Sequence, residues 1–500
     1  MGSEDHIVML PFMAHGHLIP FLALAKQIRA RTGFIVTIAT TGLNAQYLRS
    51  SLASSDSDND TIRLVELPFS GADHGLPPGA ENSENLPLDL IVNLFHASTA
   101  LQTPTHDLVS KITAEQGGRP PLCIVSDVFF GWANDVAEAT GTRNFTFSTG
   151  GAYGTLAYVS IWTNLPHRNL TDSEEFSVPG FPDNRRFHIT QLHQFLRKAD
   201  GEDPWSKFFQ PQISKSLEKS YGWLCNSVEE IEPLGFELLG KYSNRQIWGI
   251  GPLLPPEILR KSGTTTKVRR QSGKTPGVSA EKCIEWLESH EPGSVLYISF
   301  GSQNSINPQQ MMELAAGLEE QSVVSFLWVI RPPIGFDRRS EFRSEWLPDG
   351  FERRMEETKR GLLVRNWAPQ LEILSHDSIG GFLSHCGWNS VLESLSQGVP
   401  IIGWPLAAEQ AFNSKLLVEE MGVAVELTRG AGGELGRERV KEVVEMVMGK
   451  NEKAEERKRK VVDLSEHMRA AIRDDGEKEE EKGSSVRAMD DFVATIFRKL

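Results

Sequence analysis

Short, almost unbroken apolar runs separated by helix-period stretches constrain this chain more than any other feature. "HIVMLPF" (6–12), "FIVTIAT" (34–40), "PLCIVSDV" (121–128) and "NFTFST" (144–149) are near-continuous apolar runs, the pattern of strands covered by helices on both faces. Between the first two, Leu18, Phe21, Leu22, Ala25 and Ile28 form a helical stripe. Strand, helix and strand in succession build βαβ units, and hence a doubly wound parallel sheet. The pattern restarts with "SVLYISFGS" (294–302), "SFLWVIR" (325–331), "GLLVRNW" (361–367), "IGGFLSH" (379–385) and "PIIGWP" (400–405), with helices expected at 308–321, 388–397 and 407–420. At 500 residues the chain is too long for one core, so two Rossmann-like α/β domains are expected in series. The expected boundaries are 1–254 and 281–483. Residues 255–280, rich in Pro, Gly, Ser, Thr and basic side chains, read as a linker or mobile loop, and a last helix around 484–500 packs back on the first domain.

The net charge of −14 argues against a nucleic-acid partner, which would want a basic face. Cys123, Cys225, Cys283 and Cys386 are far apart and form no CxxC, which suits a reducing compartment. The start, "MGSEDHIVML", lacks the basic region of a signal peptide, and no apolar run is long enough to span a membrane. A cytoplasmic monomer with no membrane span is expected.

Several motifs fail on inspection. "SGKT" (272–275) has Val268 where a phosphate loop needs its first glycine. "DSD" (56–58) lies in a low-complexity insertion, and His15 with His17 lacks neighbouring metal ligands, so no metal site is expected. No GxGxxG follows the first strand, which removes the main support for a nicotinamide dehydrogenase.

One long motif survives. Residues 367–410 read "WAPQLEILSHDSIGGFLSHCGWNSVLESLSQGVPIIGWPLAAEQ". A strand runs into Cys386-Gly387, and Trp388-Asn389-Ser390 opens a helix. Gly387 permits close backbone approach, and Asn389 and Ser390 are expected to cap the helix beside free N–H groups. A helix N-terminus suits a phosphate. His385 adds a donor at the carboxyl end of its strand, where open α/β sheets bind ligands. Trp367 offers a stacking face, Glu393 an acceptor for a ribose hydroxyl, and Glu409 with Gln410 polar groups for a polyhydroxyl ligand.

This stretch resembles the signature box of plant uridine-diphosphate-dependent small-molecule glycosyltransferases, family 1. The likeness extends to "GHLIP" near the start, "HGLPPGAENSENLP" (74–87), "SDVFFGWANDVA" (126–137), "NSVEEIEP" (226–233) and "YISFGS" (297–302). The resemblance implies two facing Rossmann-like domains, a GT-B arrangement with the active site in the interdomain cleft. It implies inverting, metal-independent sugar transfer from a UDP-sugar co-substrate to a small hydrophobic acceptor, without a resident cofactor. By position in the box, Trp367 corresponds to the residue stacked on uracil, with Ala368 and Gln370 beside the nucleoside and Glu393 on the ribose. His385, Gly387, Asn389, Ser390 and Ser302 correspond to the diphosphate cradle. Trp388, Glu409 and Gln410 correspond to sugar contacts, with Thr149 beside them. A closing Gln favours glucose in that family, and Glu409 stands where Asp is common.

The chemistry needs a base for the acceptor hydroxyl and a carboxylate to orient that base. His17, in the "GH" position after the first strand, is expected to be the base, and Asp127, at the carboxyl end of another strand, its partner. His15 is given a plain polar role. Phe129, His96, Phe195 and Gly16 are acceptor-side candidates, in a region suited to flavonoids, other phenolics or terpenoids. The alternatives are another UDP-sugar (galactose, xylose or rhamnose), extension of an existing sugar, or a catalytically dead nucleotide-sugar-binding protein. A glycosidase would want two carboxylates flanking the bond, and no such pair sits beside the box.

Overall fold

The structure, a computed structural model, describes residues 5–52, 62–84, 86–171, 174–259, 277–321, 324–337, 340–430, 432–474 and 481–497. "SGKT", "DSD" and most of the expected linker lie outside the described residues.

The apolar runs are strands. The N-terminal half contributes β1 (His6–Leu10), β2 (Ile35–Thr40), β3 (Ile62–Glu66), β4 (Cys123–Asp127) and β5 (Asn144–Ser148). A small antiparallel ribbon, β6 (Glu175–Ser177) with β7 (Arg186–His188), follows, and then β8 (Trp223–Cys225) and β9 (Ile247–Gly249). Seven of these form a parallel sheet in the order β3-β2-β1-β4-β5-β8-β9. The second half contributes β10 (Val295–Ser299), β11 (Ser325–Ile330), β12 (Gly361–Arg365), β13 (Ile379–Ser384), β14 (Ile401–Gly403) and β15 (Ala424–Glu426). These form a second parallel sheet in the order β12-β11-β10-β13-β14-β15.

Both sheets follow the Rossmann winding, three strands to one side and the rest to the other. The reversal falls between β1 and β4 in the first sheet and between β10 and β13 in the second. Ligands of such sheets bind beyond the strand carboxyl ends at that reversal. Burial explains the continuous apolar reading: β1, β4, β5, β10 and β13 are buried along their whole length.

The segment expected to be a linker is anchored at its start. Residues Pro256–Leu259 form a helical turn whose Ile258 and Leu259 are buried. At the other end of the chain, the helix Ser484–Phe497 lies against the first sheet. Met489, Phe492 and Ile496 enter a core shared with Phe145 and Trp248, and the Trp248 indole N–H donates to Asp491 at 2.8 Å. Burying each such side chain contributes about 1.5–3 kcal/mol.

Candidate active site

The loop after β1 enters the helix His15–Thr32, and this places His17 at the sheet's reversal point. Asp127 ends β4 on the other side of that point and is fully buried. The two meet, with His17 Nδ1 2.6 Å from Asp127 Oδ2. The other carboxylate oxygen accepts the Phe129 backbone N–H at 3.1 Å, which fixes the carboxylate's orientation. The geometry puts the imidazole proton on Nδ1, toward the carboxylate, and leaves Nε2 as the acceptor. Thr149 follows β5, and its hydroxyl lies 3.4 Å from the same Nδ1. Burial opposes the imidazolium, but Asp127's charge and hydrogen bond, with the charge of Glu409, outweigh it and hold the His17 pKa above its ordinary value. Burial in turn raises Glu409, partly offset by its own backbone amide, His17 and Asn413.

His15, two residues away, stacks on Tyr47 with ring centres 4.1 Å apart, and its Nε2 lies 3.7 Å from Glu84 Oε2. It does not share His17's environment.

The second domain supplies the opposing wall. β13 leads through His385 and Cys386, which holds a left-handed φ of 61°, into the helix Trp388–Ser396. Its N-cap is Gly387, with no side-chain cap, so the expected capping by Asn389 and Ser390 does not occur. Both lie inside the first turn and turn elsewhere. Asn389 Nδ2 donates to the Gly16 carbonyl of the first domain at 3.0 Å, and Gln370 Nε2 donates to the Ser390 hydroxyl at 2.9 Å. Gln370 also reaches Glu393 at 2.6 Å. The half-buried Trp367 precedes this cluster, with Ala368 buried beside it. The Trp388 side chain is buried, and its indole N–H donates to the Asn226 carbonyl of the first domain at 2.7 Å. Gln410 folds its own loop, its side-chain oxygen accepting from Leu406 and Ala407 N–H at 3.0 and 2.9 Å.

The His385 ring is wedged between two glycines: a Cβ on Gly301 or Gly387 would lie 2.6 or 2.5 Å from its Nε2. Burial, with the nearby Arg331 charge, pushes its pKa down to about 4, so it is a neutral ring at pH 7. Its buried Nδ1 has no partner among the described residues. Ser302 sits in the same loop as Gly301. A small recess beside this loop is lined by Ser299, Gly301, Asn304, Ser305, Trp328 and Arg331.

Arg331 was not singled out from the sequence. Its Nη1 donates to the Gly301 carbonyl, and its Nε to the Asn366 carbonyl at 2.9 Å. Gly301 and Asn366 both hold left-handed φ, of 73° and 67°. Arg331 thus ties the loop bearing Ser302 to the loop bearing Trp367. The "WVIR" run was read only as a strand, and nothing in its spacing points to two carbonyls in distant loops.

Phe129 stands beside His17, ring centres 5.6 Å apart, with Phe12 at 5.5 Å on another side. Phe95, Tyr158 and Phe209 continue the aromatic wall from Phe129. Phe195 joins further out, stacked on Trp205 at 4.9 Å. His96 follows Phe95 on the same short helix. Its Nε2 lies 2.8 Å from the Pro204 carbonyl and its ring packs on Phe208, so it holds two helices together.

Similar proteins carry the same architecture. Residues 4–255 match the family described as "Glycosyltransferase, N-terminal domain", and residues 267–467 match "UDP-glucoronosyl and UDP-glucosyl transferase". The chain is 44% identical to crocetin glucosyltransferase 3 of Crocus sativus over 89% of this chain and 91% of that protein. It is 40% identical to UDP-glycosyltransferase 92A1 of Arabidopsis thaliana over 97% of this chain and 96% of that one. The crystal structure of Glycyrrhiza uralensis UGT73P12 complexed with glycyrrhetinic acid 3-O-monoglucuronide superposes with a TM-score of 0.81 at 29% identity, covering 99% of this chain and 96% of that chain. Two facing Rossmann domains and these two family matches lead to one conclusion: the chain belongs to the plant family 1 UDP-glycosyltransferases, hexosyltransferases of GT-B fold that transfer a sugar to small metabolites.

Proposed function

We propose that this enzyme transfers glucose from UDP-glucose, with inversion and without a metal, to a hydroxyl of a small lipophilic plant metabolite. His17 is the general base and Asp127 its orienting partner. The 2.6 Å contact between His17 and a fully buried Asp127 at the sheet's reversal point carries this reading. Nε2 takes the acceptor's hydroxyl proton, and the oxygen forms its bond to the anomeric carbon. The bond from that carbon to the diphosphate oxygen breaks, and UDP leaves with the electron pair. Asp127 stabilises the imidazolium.

In this reading Trp367 stacks on uracil, with Ala368 and Gln370 beside the nucleoside and Glu393 on the ribose. Ser302, the neutral His385 and the helix N–H groups from Gly387 to Ser390 receive the growing diphosphate charge. Glu409, Gln410 and Thr149 face the sugar. The aromatic wall from Phe129 suits a flat phenolic or a terpenoid acceptor. The solved relative holds a glycoside, which supports a second reading in which the acceptor already carries a sugar. The test is the purified protein with UDP-glucose and a panel of phenolic, terpenoid and glycosylated acceptors, read by mass spectrometry. A hexosylated product is expected. Hydrolysis of UDP-glucose without transfer to any acceptor would contradict the proposal.

A further inference from the structure

The helix Ala152–Asn164 starts three residues after Thr149, and its N-cap, Gly151, has no side chain to cap it. A side chain would not fit there: a Cβ on Gly151 would lie 2.7 Å from both Glu232 Oε1 and Cζ2 of Trp388 in the second domain. The first N–H groups of a helix have no partner inside it, and burying them bare is costly. Glu232 supplies the acceptors from 80 residues away: its Oε1 takes the Ala152 N–H at 2.8 Å and its Oε2 the Tyr153 N–H at 2.9 Å. Glu232 is itself the N-cap of the helix Pro233–Ser243, but its side chain makes no cap bond there, and Pro233 at the first position has no N–H to satisfy. The two helix starts abut, since a Cβ on Gly235 would lie 2.6 Å from the Tyr153 nitrogen, so both present their positive ends to one carboxylate. That carboxylate is 1% exposed, and no basic side chain among the described residues pairs with it. Burial pushes its pKa up to about 7, against the pull of the Ser227 hydroxyl and the two amides. A buried carboxylate without a cation is kept at a cost. What it holds is the turn between β5 and this helix, whose Thr149 hydroxyl lies 3.4 Å from His17 Nδ1 and whose Gly151 packs on the Trp388 ring.

We propose that Glu232 is a positioning residue for the transfer: its carboxylate, clamped on the Ala152 and Tyr153 N–H groups, fixes the turn Thr149–Gly151 against His17 and Trp388. It acts through that turn and not on substrate. The idea rests on the reading of this cleft as the transfer site. It also gives the last glutamate of "NSVEEIEP" a role that the exposed Glu229 and Glu230 do not share.

The test compares Glu232→Gln and Glu232→Ala with wild type in the full chain, by steady-state kinetics, Tm and amide hydrogen exchange. Turnover is measured well below Tm and expressed per UDP-binding site counted by calorimetry, so that unfolded protein does not enter. Glutamine keeps the volume and one accepting oxygen, and alanine keeps neither. The expected result is a kcat about tenfold lower in Glu232→Gln, the worth of one charge-assisted hydrogen bond, and lower again in Glu232→Ala, with acceptor KM within about twofold. Exchange in residues 152–155 is expected to quicken in both variants. A carboxylate that only supports the fold would lower Tm and leave kcat per site at the wild-type value, and that result overturns the proposal. So does unchanged exchange in residues 152–155 of Glu232→Gln. If Glu232→Ala does not fold, Glu232→Gln decides on the same readouts. His17→Ala with wild-type turnover would instead overturn the reading of the cleft, whereas quickened exchange with wild-type kcat in Glu232→Gln would overturn the role of Glu232 alone.

Discussion

Replacing Asp127 by Asn keeps the shape of a fully buried side chain and removes its charge. Asp127 Oδ2 lies 2.6 Å from His17 Nδ1, so the imidazolium's charge centre sits roughly 4 Å from the carboxylate's. At an effective dielectric near 20, that pair is worth about 4 kcal/mol. An amide accepting the same N–H retains about 1 kcal/mol. The difference, about 3 kcal/mol, predicts a loss of roughly 100-fold in kcat. The loss is greater if the amide N–H₂ turns toward Nδ1, because the ring proton then moves to Nε2 and the base is blocked. The pH profile carries a second signature. His17 must be neutral to act, and Asp127 holds its pKa above 6.5, so the wild-type acid limb of kcat/KM falls above that value. In Asp127→Asn the carboxylate's raising charge is lost while burial still opposes the imidazolium, and the limb moves to lower pH. Initial rates across pH, with UDP affinity as a folding control, decide the matter. A variant within about threefold of wild type, or one whose acid limb does not move, refutes the role given to Asp127.

Arg331→Met removes the tie between the Gly301 and Asn366 carbonyls. KM for UDP-glucose is expected to rise about tenfold with kcat within about threefold, measured by steady-state kinetics with acceptor saturating. Gln410→His leaves one imidazole acceptor where two backbone N–H groups are now bound, which costs about 1–3 kcal/mol. Competition between UDP-glucose and UDP-galactose is expected to show roughly tenfold weaker use of glucose and only a partial gain for galactose. A complete switch would contradict the loop-folding role of Gln410.

Most strands legible in the sequence are buried on both faces, where alternation vanishes; β12, mostly half-buried, and the three-residue β14 show through their apolar runs alone. β3 has mixed burial, and β8, β9 and β15 are three residues long, too short for a period to show. Most residues proposed for the donor side stand out in the sequence because they lie in one continuous motif whose strand-turn-helix folds locally. His17 and Asp127 were legible from their places at strand ends, although their contact spans 110 residues. Arg331 was not, because its role exists only through carbonyls 30 and 35 residues away. The aromatic wall beside His17 was only partly visible. Phe129 follows β4 directly, but Phe12, Phe95, Tyr158 and Phe209 come together from separate elements, and helical spacing cannot tell such a wall from ordinary core.

Turnover and UDP binding measured side by side in His17→Ala test the central claim most directly. The account predicts transfer reduced by about 10³-fold or more, with UDP affinity by calorimetry unchanged, because Nε2 of His17 receives the proton and the nucleotide is held by the other domain. Transfer at more than about a tenth of the wild-type rate, with UDP still bound, would contradict it.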